Sequence, residues 1–353
     1  MVDVAVVGTG GMGTFHARTL AQLPDVRVAA VADLDPRAAA RAADVVAGLR
    51  GVAPEIMTGP GAAERLATAT SIRGRHLDAV VIASPDDTHA ALSLAALDVG
   101  AAVLCEKPLA TSVDDARRVV DAEVRAGRRS LQLGFMRQYD VPHRLVAEAL
   151  AGLGAVHLVR AAHRNTSSPE RDDATVVGQS VVHDIHSVRF LTGAEIVAVT
   201  ARATRTASGS IRHVVVLAEL VGGRAADGAT ATIEFDDAGF AYETTVVVTA
   251  EDGLVATPPP TRAVVGRDGA VRSDIGGDWF SWFADAYRTQ DASWIDTVRA
   301  QRPPTGPSAW DGLVAQTVVD ATLASLDSGG ERVAVTIDEP PSIHARDVTD
   351  LGL

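Results

Sequence analysis

The only lysine of the chain, Lys107, is the residue whose type points most directly to chemistry. It stands among 32 basic residues, and all the others are arginine. An ammonium group is a compact point charge whose pKa shifts readily on burial, whereas a guanidinium stays charged and presents a broad fork of donors. A drift of composition toward arginine would have replaced a lysine that needed only to be positive and solvated. We therefore expect Lys107 to work in a site, with a chance surface lysine as the alternative.

A glycine-rich segment has the pattern of a phosphate-binding turn. Gly8, Gly10 and Gly13 have the spacing G-x-G-x-x-G, follow an apolar run at residues 2–7 and precede a helix-like stretch. The first glycine permits a tight turn, the second lets a pyrophosphate approach the backbone, and the third lets helix and strand pack closely. The N–H groups at the start of the helix then hold the phosphates. A glycine turn of purely structural purpose is the alternative.

Asp33 lies 20 positions after the last of these glycines, at the end of a second apolar run. A carboxylate there is expected to accept hydrogen bonds from the adenosine ribose of a dinucleotide. It would also repel a 2′-phosphate. For two unit charges about 4 Å apart, the repulsion is about 1 kcal/mol in water and about 4 kcal/mol at an effective dielectric constant of 20. The sequence therefore predicts NAD rather than NADP as the cofactor.

Two more polar segments, residues 84–89 and 105–108, follow strand-like runs. Doubly wound sheets bind their ligands at the carboxyl ends of the strands, so both segments are expected beside the nicotinamide. Pro108 biases Lys107 away from helical geometry. The predicted cofactor-binding residues are Gly8, Gly10, Gly11, Met12, Gly13, Asp33, Ser84, Pro85, His89, Glu106 and Lys107.

A third group of candidates has helical spacing. Gln179, His183 and His186 stand at i, i+4 and i+7 in an otherwise apolar stretch, residues 176–191. On a helix they would form one polar stripe, which is costly to bury unless it meets a cavity or partners. Because an imidazole is the usual general base for a hydroxyl proton, we expect catalysis here. A satisfied pair of core histidines is one alternative, and a metal site of His183 and His186 is another, although no further ligand is obviously placed nearby.

The composition excludes several classes of protein. A net charge of −13 leaves no basic stripe for binding nucleic acid. The single cysteine, Cys105, can form neither an internal disulfide nor a thiolate metal cluster, which favours a reducing compartment and hence the cytoplasm. No apolar run reaches the roughly 18 residues of a membrane span, and no basic segment precedes the short first run, so we expect neither export nor a membrane.

The elements that must position these residues fall into two regions, as expected for 353 residues. The first region alternates between strand-like and helix-like runs over about 135 residues, which predicts an α/β Rossmann domain with a doubly wound parallel sheet. Strands are expected at residues 2–7, 28–32, 78–83, 102–105 and 131–135. We expect an NAD-binding domain at 1–127, an α+β domain at 128–340 for substrate binding and oligomer contacts, and a polar tail at 341–353.

The second region consists mainly of strand-like runs joined by turn signals such as Asp227-Gly228 and Asp268-Gly269. This pattern predicts antiparallel hairpins. Strands are expected at 156–164, 196–205, 211–221, 230–236, 242–250, 264–272 and 332–337. Helices are expected at 279–300 and 307–328.

Several motifs in order resemble the glucose–fructose oxidoreductase/inositol dehydrogenase (Gfo/Idh/MocA) family, and the resemblance extends over nearly the whole chain. They are Gly8–Gly13, Glu106-Lys107-Pro108, Phe135–Asp140, Ala162–Asn165, His183-Asp184-Ile185, Tyr242 before Glu251-Asp252-Gly253, and Gly306–Gly312. The resemblance implies an NAD-binding Rossmann domain, a C-terminal domain with a large open, mostly antiparallel sheet, and homo-oligomers, tetramers or dimers, formed through that sheet. It also implies oxidation of a ring hydroxyl to a ketone.

By position, the resemblance assigns the catalytic roles to Lys107 and His183. The substrate-binding residues that it implies are Arg137, His163, Asn165, Gln179, His186 and Tyr242. Two of these depart from the family, which has an aspartate in place of Gln179 and an acidic residue in place of His186. Glutamine can hydrogen-bond to a hydroxyl but cannot take up a proton.

Together these features predict an NAD-dependent dehydrogenase of a cyclitol or pyranose, with an inositol as the leading substrate. The two departures favour an alternative enzyme, a dehydrogenase of another sugar or of a modified cyclitol. A non-catalytic, NAD-responsive regulatory or binding protein on the same fold is an alternative of another class, although such a protein need not retain both Lys107 and His183.

Overall fold

The computed structural model describes residues 1–166, 170–239, 241–258, 261–267, 270–275 and 278–345. Within these residues the chain divides into two compact units. The first unit comprises residues 1–135, 287–316 and 340–345, and the second comprises the described parts of 136–286 and 317–339. These bounds differ from the predicted domains, because two late segments return to the first unit. The expected tail at 341–353 is described only to residue 345.

The first unit is built on a parallel sheet, as predicted. Its strands are β1 (Val2–Val7), β2 (Val26–Asp33), β3 (Glu55–Thr58), β4 (Ser71–Ile72), β5 (Arg75–His76), β6 (Ala79–Ile82), β7 (Ala102–Glu106) and β8 (Leu131–Gly134). Its helices before residue 136 are α1 (Gly11–Gln22), α2 (Pro36–Arg50), α3 (Ala62–Ala67), α4 (His89–Asp98) and α5 (Val113–Ala126). Six strands of the described part pair in the order β3-β2-β1-β6-β7-β8, which is the Rossmann order.

Local capping explains why the helices of this unit begin and end where they do. The side chain of Asp35 accepts from the backbone N–H of Arg37 at the start of α2, and Ser112 does the same for Asp115 at the start of α5. Gly127 follows the last residue of α5 in the left-handed conformation, which glycine adopts without strain. Helix α2 ends at Arg50 and is followed by Gly51, which is also in the left-handed conformation.

The second unit is built on a mixed sheet of seven described strands, in the order β14-β13-β9-β12-β11-β10-β17. They are β9 (Val156–Arg164), β10 (Glu195–Arg205), β11 (Ile211–Val221), β12 (Ala225–Asp236), β13 (Glu243–Ala250), β14 (Gly253–Ala256) and β17 (Val333–Ala334). All pairs are antiparallel except β9 with β12, which are parallel. Along β11 one face is buried while Leu217 and Val221 on the other are 43% and 59% exposed, so this sheet has an open face.

The remaining elements complete both units. A separate hairpin is formed by β15 (Thr261–Arg267) and β16 (Ala270–Ile275). The later helices are α6 (Val141–Leu150), α7 (Asp173–Val176), α8 (Val182–Thr192), α9 (Trp279–Trp282), α10 (Ala284–Arg299) and α11 (Ala309–Asp327). A π-helical turn, Val177–Val181, joins α7 to α8.

Several elements differ from the sequence-based predictions, and the short strands β4, β5 and β14 were not predicted at all. The run at 264–272 belongs to two strands rather than one, and the predicted turn at Asp268-Gly269 lies outside the described residues. The strand Glu55–Thr58 was not predicted, and only Val333–Ala334 of the run at 332–337 is paired. The helix predicted at 279–300 is interrupted at Phe283, whose buried ring contacts those of Tyr242 and His143.

The return of α10 to the first unit has a plain physical cause. Trp294 and Ile295 are buried in the same apolar core as the side chains of β1 and β2. The start of α11 also packs within the first unit, since a Cβ at Gly312 would lie 2.7–3.0 Å from the side chains of Leu109 and Leu133. A helical pattern in the sequence shows an apolar face but not the sheet that this face will cover.

Candidate active site

The glycine turn between β1 and α1 has two glycines that the fold itself requires. Gly8 has a φ of +80°, and a Cβ there would lie 2.5 Å from backbone atoms of Ala83 and Ser84. A Cβ at Gly13 would lie 1.8 Å from the carbonyl oxygen of Gly8. Around Gly10 and Gly11, in contrast, a Cβ would meet nothing within 4 Å. Their bare backbone therefore leaves room for a ligand rather than for the chain.

The start of α1 fits an anionic group. Its N-cap residue is Gly10, which has no side chain to accept a hydrogen bond from the first amides of the helix. Such amides point their N–H groups at the space beyond the turn and carry the positive end of the helix dipole. The residues present therefore fit the pyrophosphate of a dinucleotide.

Asp33, at the end of β2, lies against this turn. Its Oδ2 accepts from the backbone N–H and the hydroxyl of Thr9, at 2.6 and 2.9 Å, and its Oδ1 accepts from the N–H of Asp35 at 2.9 Å. A carboxylate oxygen can accept more than one hydrogen bond, so capacity remains for a ribose. The location is the one that the spacing predicted.

The Glu106-Lys107-Pro108 turn follows directly from β7, at the carboxyl edge of the sheet. Lys107 is half-buried and Glu106 is only 6% exposed. Oε2 of Glu106 accepts from the backbone N–H of Lys107 at 3.3 Å. On the neighbouring strand a Cβ at Gly134 would lie about 2.9 Å from the Glu106 carboxylate, so a glycine is needed there to leave space for it.

A buried histidine, His16, fixes that carboxylate and was not identified from the sequence. Its Nε2 lies 3.0 Å from Oε1 of Glu106, and its Nδ1 lies 2.9 and 3.0 Å from the two carboxylate oxygens of Asp291. His16 and Asp291 are fully buried. Burial lowers the pKa of His16, but the two carboxylates outweigh that effect and raise it to about 10. His16 is therefore an imidazolium held between two carboxylates.

Because of this charge, we expect stability to fall as the pH rises above 7. The folded pKa of about 10 lies above the ordinary 6.5, so the contribution of His16 is complete below pH 6.5 and is lost as the pH rises through 10. The expected decrease in the free energy of unfolding from His16 is roughly 3 kcal/mol between pH 7 and 9.5. Urea unfolding at a series of pH values measures it. His16→Gln should lose the part of this dependence that comes from His16 and keep the part that comes from the raised pKa of His89. His344→Gln should keep the whole dependence, so equal slopes in wild type and His16→Gln would contradict the assignment.

The predicted residues at the end of β6 are also at this edge. The hydroxyls of Ser84 and Thr88 lie 2.6 Å apart, and Pro85 is exposed. His89, the first residue of α4, is buried and contacts the backbone of both Ser84 and Pro108. All the residues predicted to bind the cofactor lie in the first unit, at or shortly after the carboxyl ends of β1, β2, β6 and β7.

In the second unit, a buried cluster surrounds Asp184, and we call it the Asp184 cluster. Oδ1 of Asp184 accepts from Nη1 of Arg137 at 2.5 Å, and Oδ2 accepts from Nδ1 of His163 at 3.0 Å. Tyr242 hydrogen-bonds with Arg137, and Asn165 with His163. Arg137, His163 and Tyr242 are between 2% and 4% exposed. Four predicted substrate-binding residues therefore meet around an aspartate that the sequence had singled out only as part of a motif.

The charges of the Asp184 cluster are well defined. Burial raises the pKa of Asp184, but the charges of Arg137 and His163 prevail and lower it. Burial and the Arg137 charge lower the pKa of His163 against the opposing effect of Asp184. Asp184 is therefore ionised and His163 is neutral at pH 7, with its Nδ1–H donating to the carboxylate. Burial also raises the pKa of Tyr242, which keeps its hydroxyl proton.

The predicted polar stripe lies on a helix whose register is altered. Gln179 is half-buried on the π-helical turn, while His183 and His186 are buried on α8. The wider π turn changes the angular spacing between Gln179 and His183 from that of a regular helix. The ring of His186 is stacked on that of Phe190, with an angle of 3° between the ring planes.

Two further properties concern the described residues as a whole. No group of three or more His, Cys, Asp or Glu side chains among them is arranged to hold a metal ion. None of the helices traced in those residues combines the length and the apolar character that crossing a membrane would require.

Comparison with family models matches both parts of the chain. Residues 2–135 match the model described as an oxidoreductase family with an NAD-binding Rossmann fold, and residues 144–272 match the GFO/IDH/MocA C-terminal domain.

Similar proteins cover almost the full length. Inositol 2-dehydrogenase of Rubrobacter xylanophilus is 40% identical over 99% of this chain and 98% of its own. Inositol 2-dehydrogenase 3 of Saccharopolyspora erythraea is 35% identical over 97% and 98%. The crystal structure of myo-inositol dehydrogenase from Lactobacillus casei with NAD(H) and myo-inositol matches with a TM-score of 0.88 and 27% identity, over 98% of this chain and all of that one.

Proposed function

The chain belongs to the Gfo/Idh/MocA oxidoreductase family, and we propose that it is an NAD-dependent dehydrogenase that oxidises a secondary ring hydroxyl of a cyclitol to a ketone. An inositol is the leading substrate, because the relatives that match the chain from end to end are inositol 2-dehydrogenases. The observation that carries the proposal is the turn with the only lysine of the chain, at the carboxyl end of β7 in a Rossmann sheet.

The first unit supplies the cofactor site. The bare backbone at Gly10 and Gly11 and the first amides of α1 would hold the pyrophosphate, and Asp33 would hold the adenosine ribose. Bound NAD supplies the acceptor for the hydride that leaves the hydroxyl-bearing carbon. The residues of the chain position the substrate and manage its proton.

His183 and Lys107 act on the hydroxyl group of the substrate. We assign His183 as the general base that accepts the hydroxyl proton, and Lys107 as the cation that stabilises the negative charge developing on the same oxygen. Loss of that proton and of the hydride converts the alcohol to a ketone. The Asp184 cluster lies next to His183 in sequence and holds its helix against β9, through the contact between Asp184 and His163.

NAD is expected to bind at least tenfold more tightly than NADP. The carboxylate of Asp33 accepts from a ribose hydroxyl but opposes a 2′-phosphate, and about 1.4 kcal/mol is enough for a factor of ten. Fluorescence titration with both cofactors measures the dissociation constants. Asp33→Asn should reduce the difference between the dissociation constants for NAD and NADP. Equal or reversed dissociation constants in wild type would refute the role of Asp33.

A substrate panel tests the activity itself. NAD reduction is followed with inositol epimers, glucose and related sugars, and the reverse reaction with an inosose. Turnover of an inositol supports the proposal, whereas a clear preference for a pyranose or a modified cyclitol favours the alternative enzyme suggested by Gln179 and His186. Binding of NAD without turnover of any polyol would favour the non-catalytic alternative.

We further propose that the chain forms a homo-oligomer, a tetramer or a dimer, through the open face of the second sheet. The exposed Leu217 and Val221 of that face support this, since large apolar side chains concentrate where surfaces associate. We also propose that the enzyme works in the cytoplasm, where a buried cysteine such as Cys105 stays reduced.

A further inference from the structure

A second buried histidine, His89, joins the two strand ends at the edge of the cofactor site. Its Nδ1 lies 2.7 Å from the carbonyl oxygen of Pro108, and its Nε2 lies 2.9 Å from the carbonyl oxygen of Ser84. A carbonyl oxygen can only accept a hydrogen bond, so each ring nitrogen must donate one. A neutral imidazole carries a single N–H and would place a bare nitrogen against one of the two oxygens. The geometry therefore requires the doubly protonated ring.

The surroundings of His89 favour the protonated ring on balance, although burial and the helix dipole oppose it. The residue is 1% exposed and opens α4, where the helix dipole disfavours a cation. Burial lowers its pKa, but the neighbouring Cys105 thiol on β7 and the two carbonyl acceptors raise it to about 9. Cys105 is the titratable group that faces the ring from the adjacent strand.

The position of the two bonds along the chain gives His89 a role. Pro108 immediately follows Lys107. Ser84 lies two residues after the end of β6, the strand that pairs with β7. On the other side of Lys107, the carboxylate of Glu106 is held by His16. The residues before and after Lys107 are thus anchored by separate buried imidazolium rings.

We infer that His89 is a positioning residue for Lys107: its Nδ1–H fixes the carbonyl that follows the lysine, and its Nε2–H ties that turn to the end of β6. The inference rests on the proposed function only in that Lys107 acts on the substrate. A displacement of about 1 Å in a catalytic group can cost a hundredfold in rate. Both ring nitrogens of His89 are engaged by backbone carbonyls, so the ring has no nitrogen left to bind the cofactor directly. The expected signature is therefore a loss in kcat with little change in substrate KM or in the affinity for NAD.

Two conservative variants separate this role from simple packing. The side-chain amide of asparagine reaches about as far as Nδ1 of histidine, whereas that of glutamine reaches about as far as Nε2. His89→Asn can keep the bond to Pro108, and His89→Gln can keep the bond to Ser84. Glutamine fills more of the buried space, so a packing role favours it, while the positioning role favours asparagine.

The kinetic test measures kcat, KM and NAD affinity for His89→Ala, His89→Asn and His89→Gln. We expect alanine to lower kcat roughly tenfold to a hundredfold, asparagine to recover it to within about threefold of wild type, and glutamine to recover less. The control is His344→Gln, which removes a buried histidine of the same unit and should leave kcat unchanged. Recovery by glutamine equal to or better than that by asparagine would overturn the inference.

A second measurement works without substrate and uses the fact that the chain has one lysine. Reductive methylation with ¹³C-formaldehyde gives a single lysine signal, from Lys107, beside that of the N-terminal amine. This signal should move in His89→Ala and His89→Gln and stay near its wild-type position in His89→Asn. ¹⁵N NMR of the wild-type histidines at pH 7 should show both nitrogens of His89 protonated.

These readouts distinguish the failure of the inference from the failure of the proposed function. If no polyol is oxidised, the function is refuted, while the Lys107 signal and the protonation of His89 still decide the positioning role. A Lys107 signal that is the same in wild type and all three variants, or one unprotonated ring nitrogen in His89, refutes the inference even in an active enzyme.

Discussion

Replacing Lys107 by arginine is expected to lower kcat nearly as far as replacing it by alanine, by on the order of a hundredfold or more. Lys107 lies between two residues that buried histidines hold in place, Glu106 through its carboxylate and Pro108 through its carbonyl oxygen. A guanidinium is broader than an ammonium and spreads its charge over a planar fork of donors, so it cannot place a compact positive charge where the lysine does. Because the backbone around residue 107 is fixed on both sides, the turn cannot shift to admit the larger group.

Steady-state kinetics on the best substrate of the panel, together with NAD titration, measure this prediction. NAD binding should persist in both variants, which separates lost chemistry from a lost fold. The matched control is Arg118→Lys on α5, where an exposed ion pair with Asp115 tolerates either cation. If Lys107→Arg retained close to wild-type turnover, the argument from the single lysine would be wrong.

The second large effect is expected at Gln179, where the chain leaves the family pattern. If the pocket is built for a sugar or cyclitol other than myo-inositol, Gln179→Asp should weaken the true substrate by about 5- to 150-fold in kcat/KM. The reason is that glutamine both donates and accepts, whereas a carboxylate only accepts, and a lost donor to a buried hydroxyl costs about 1–3 kcal/mol. We expect this outcome because His186 also differs from the family pattern, and two changes in one predicted polar stripe point to a retuned pocket.

The opposite outcome has an equally clear meaning. If Gln179 is a tolerated substitution in an ordinary inositol dehydrogenase, Gln179→Asp should maintain or raise activity on myo-inositol. The reason is that a carboxylate four residues before His183 can stabilise the protonated form of that histidine. Specificity constants on myo-inositol and on the best panel substrate decide between the two. Gln179→Asn matches the length of aspartate without its charge and serves as the control. A gain that makes myo-inositol the best substrate would refute the retuned pocket.

Much of the fold could be predicted because its signals are local. The parallel sheet follows from alternating apolar and helical runs, and the bounds of β9 and β11 agree with the predictions because period-two patterns and turns mark them. The strand Glu55–Thr58 has no such mark, since its residues are only partly buried at the edge of the sheet. The parallel pairing of β9 with β12 could not be foreseen either, because it depends on contacts far apart in the chain.

The same division holds for the site. The glycine turn, Asp33 and the Lys107 turn could be found because motif spacing and strand ends specify them. The bond between His16 and Asp291 spans 275 positions of sequence, and no short pattern connects the two. His16 does have a local signal, a polar residue on the buried side of α1, three positions after Gly13. The only sequence signal for Asp184 is its position beside His183, because its partners come from different elements of the second unit.

The contribution of α10 to the first unit has a consequence for the order in which the protein is made. At 5–20 residues per second, roughly 8–30 s of synthesis separate the completion of residue 135 from that of Asp291. During this time the nascent Rossmann sheet lacks Trp294 and Ile295, and His16 lacks one of its two counterions. The nucleotide-binding half is therefore translated first but finished late, and it depends on chain that leaves the ribosome after most of the second unit.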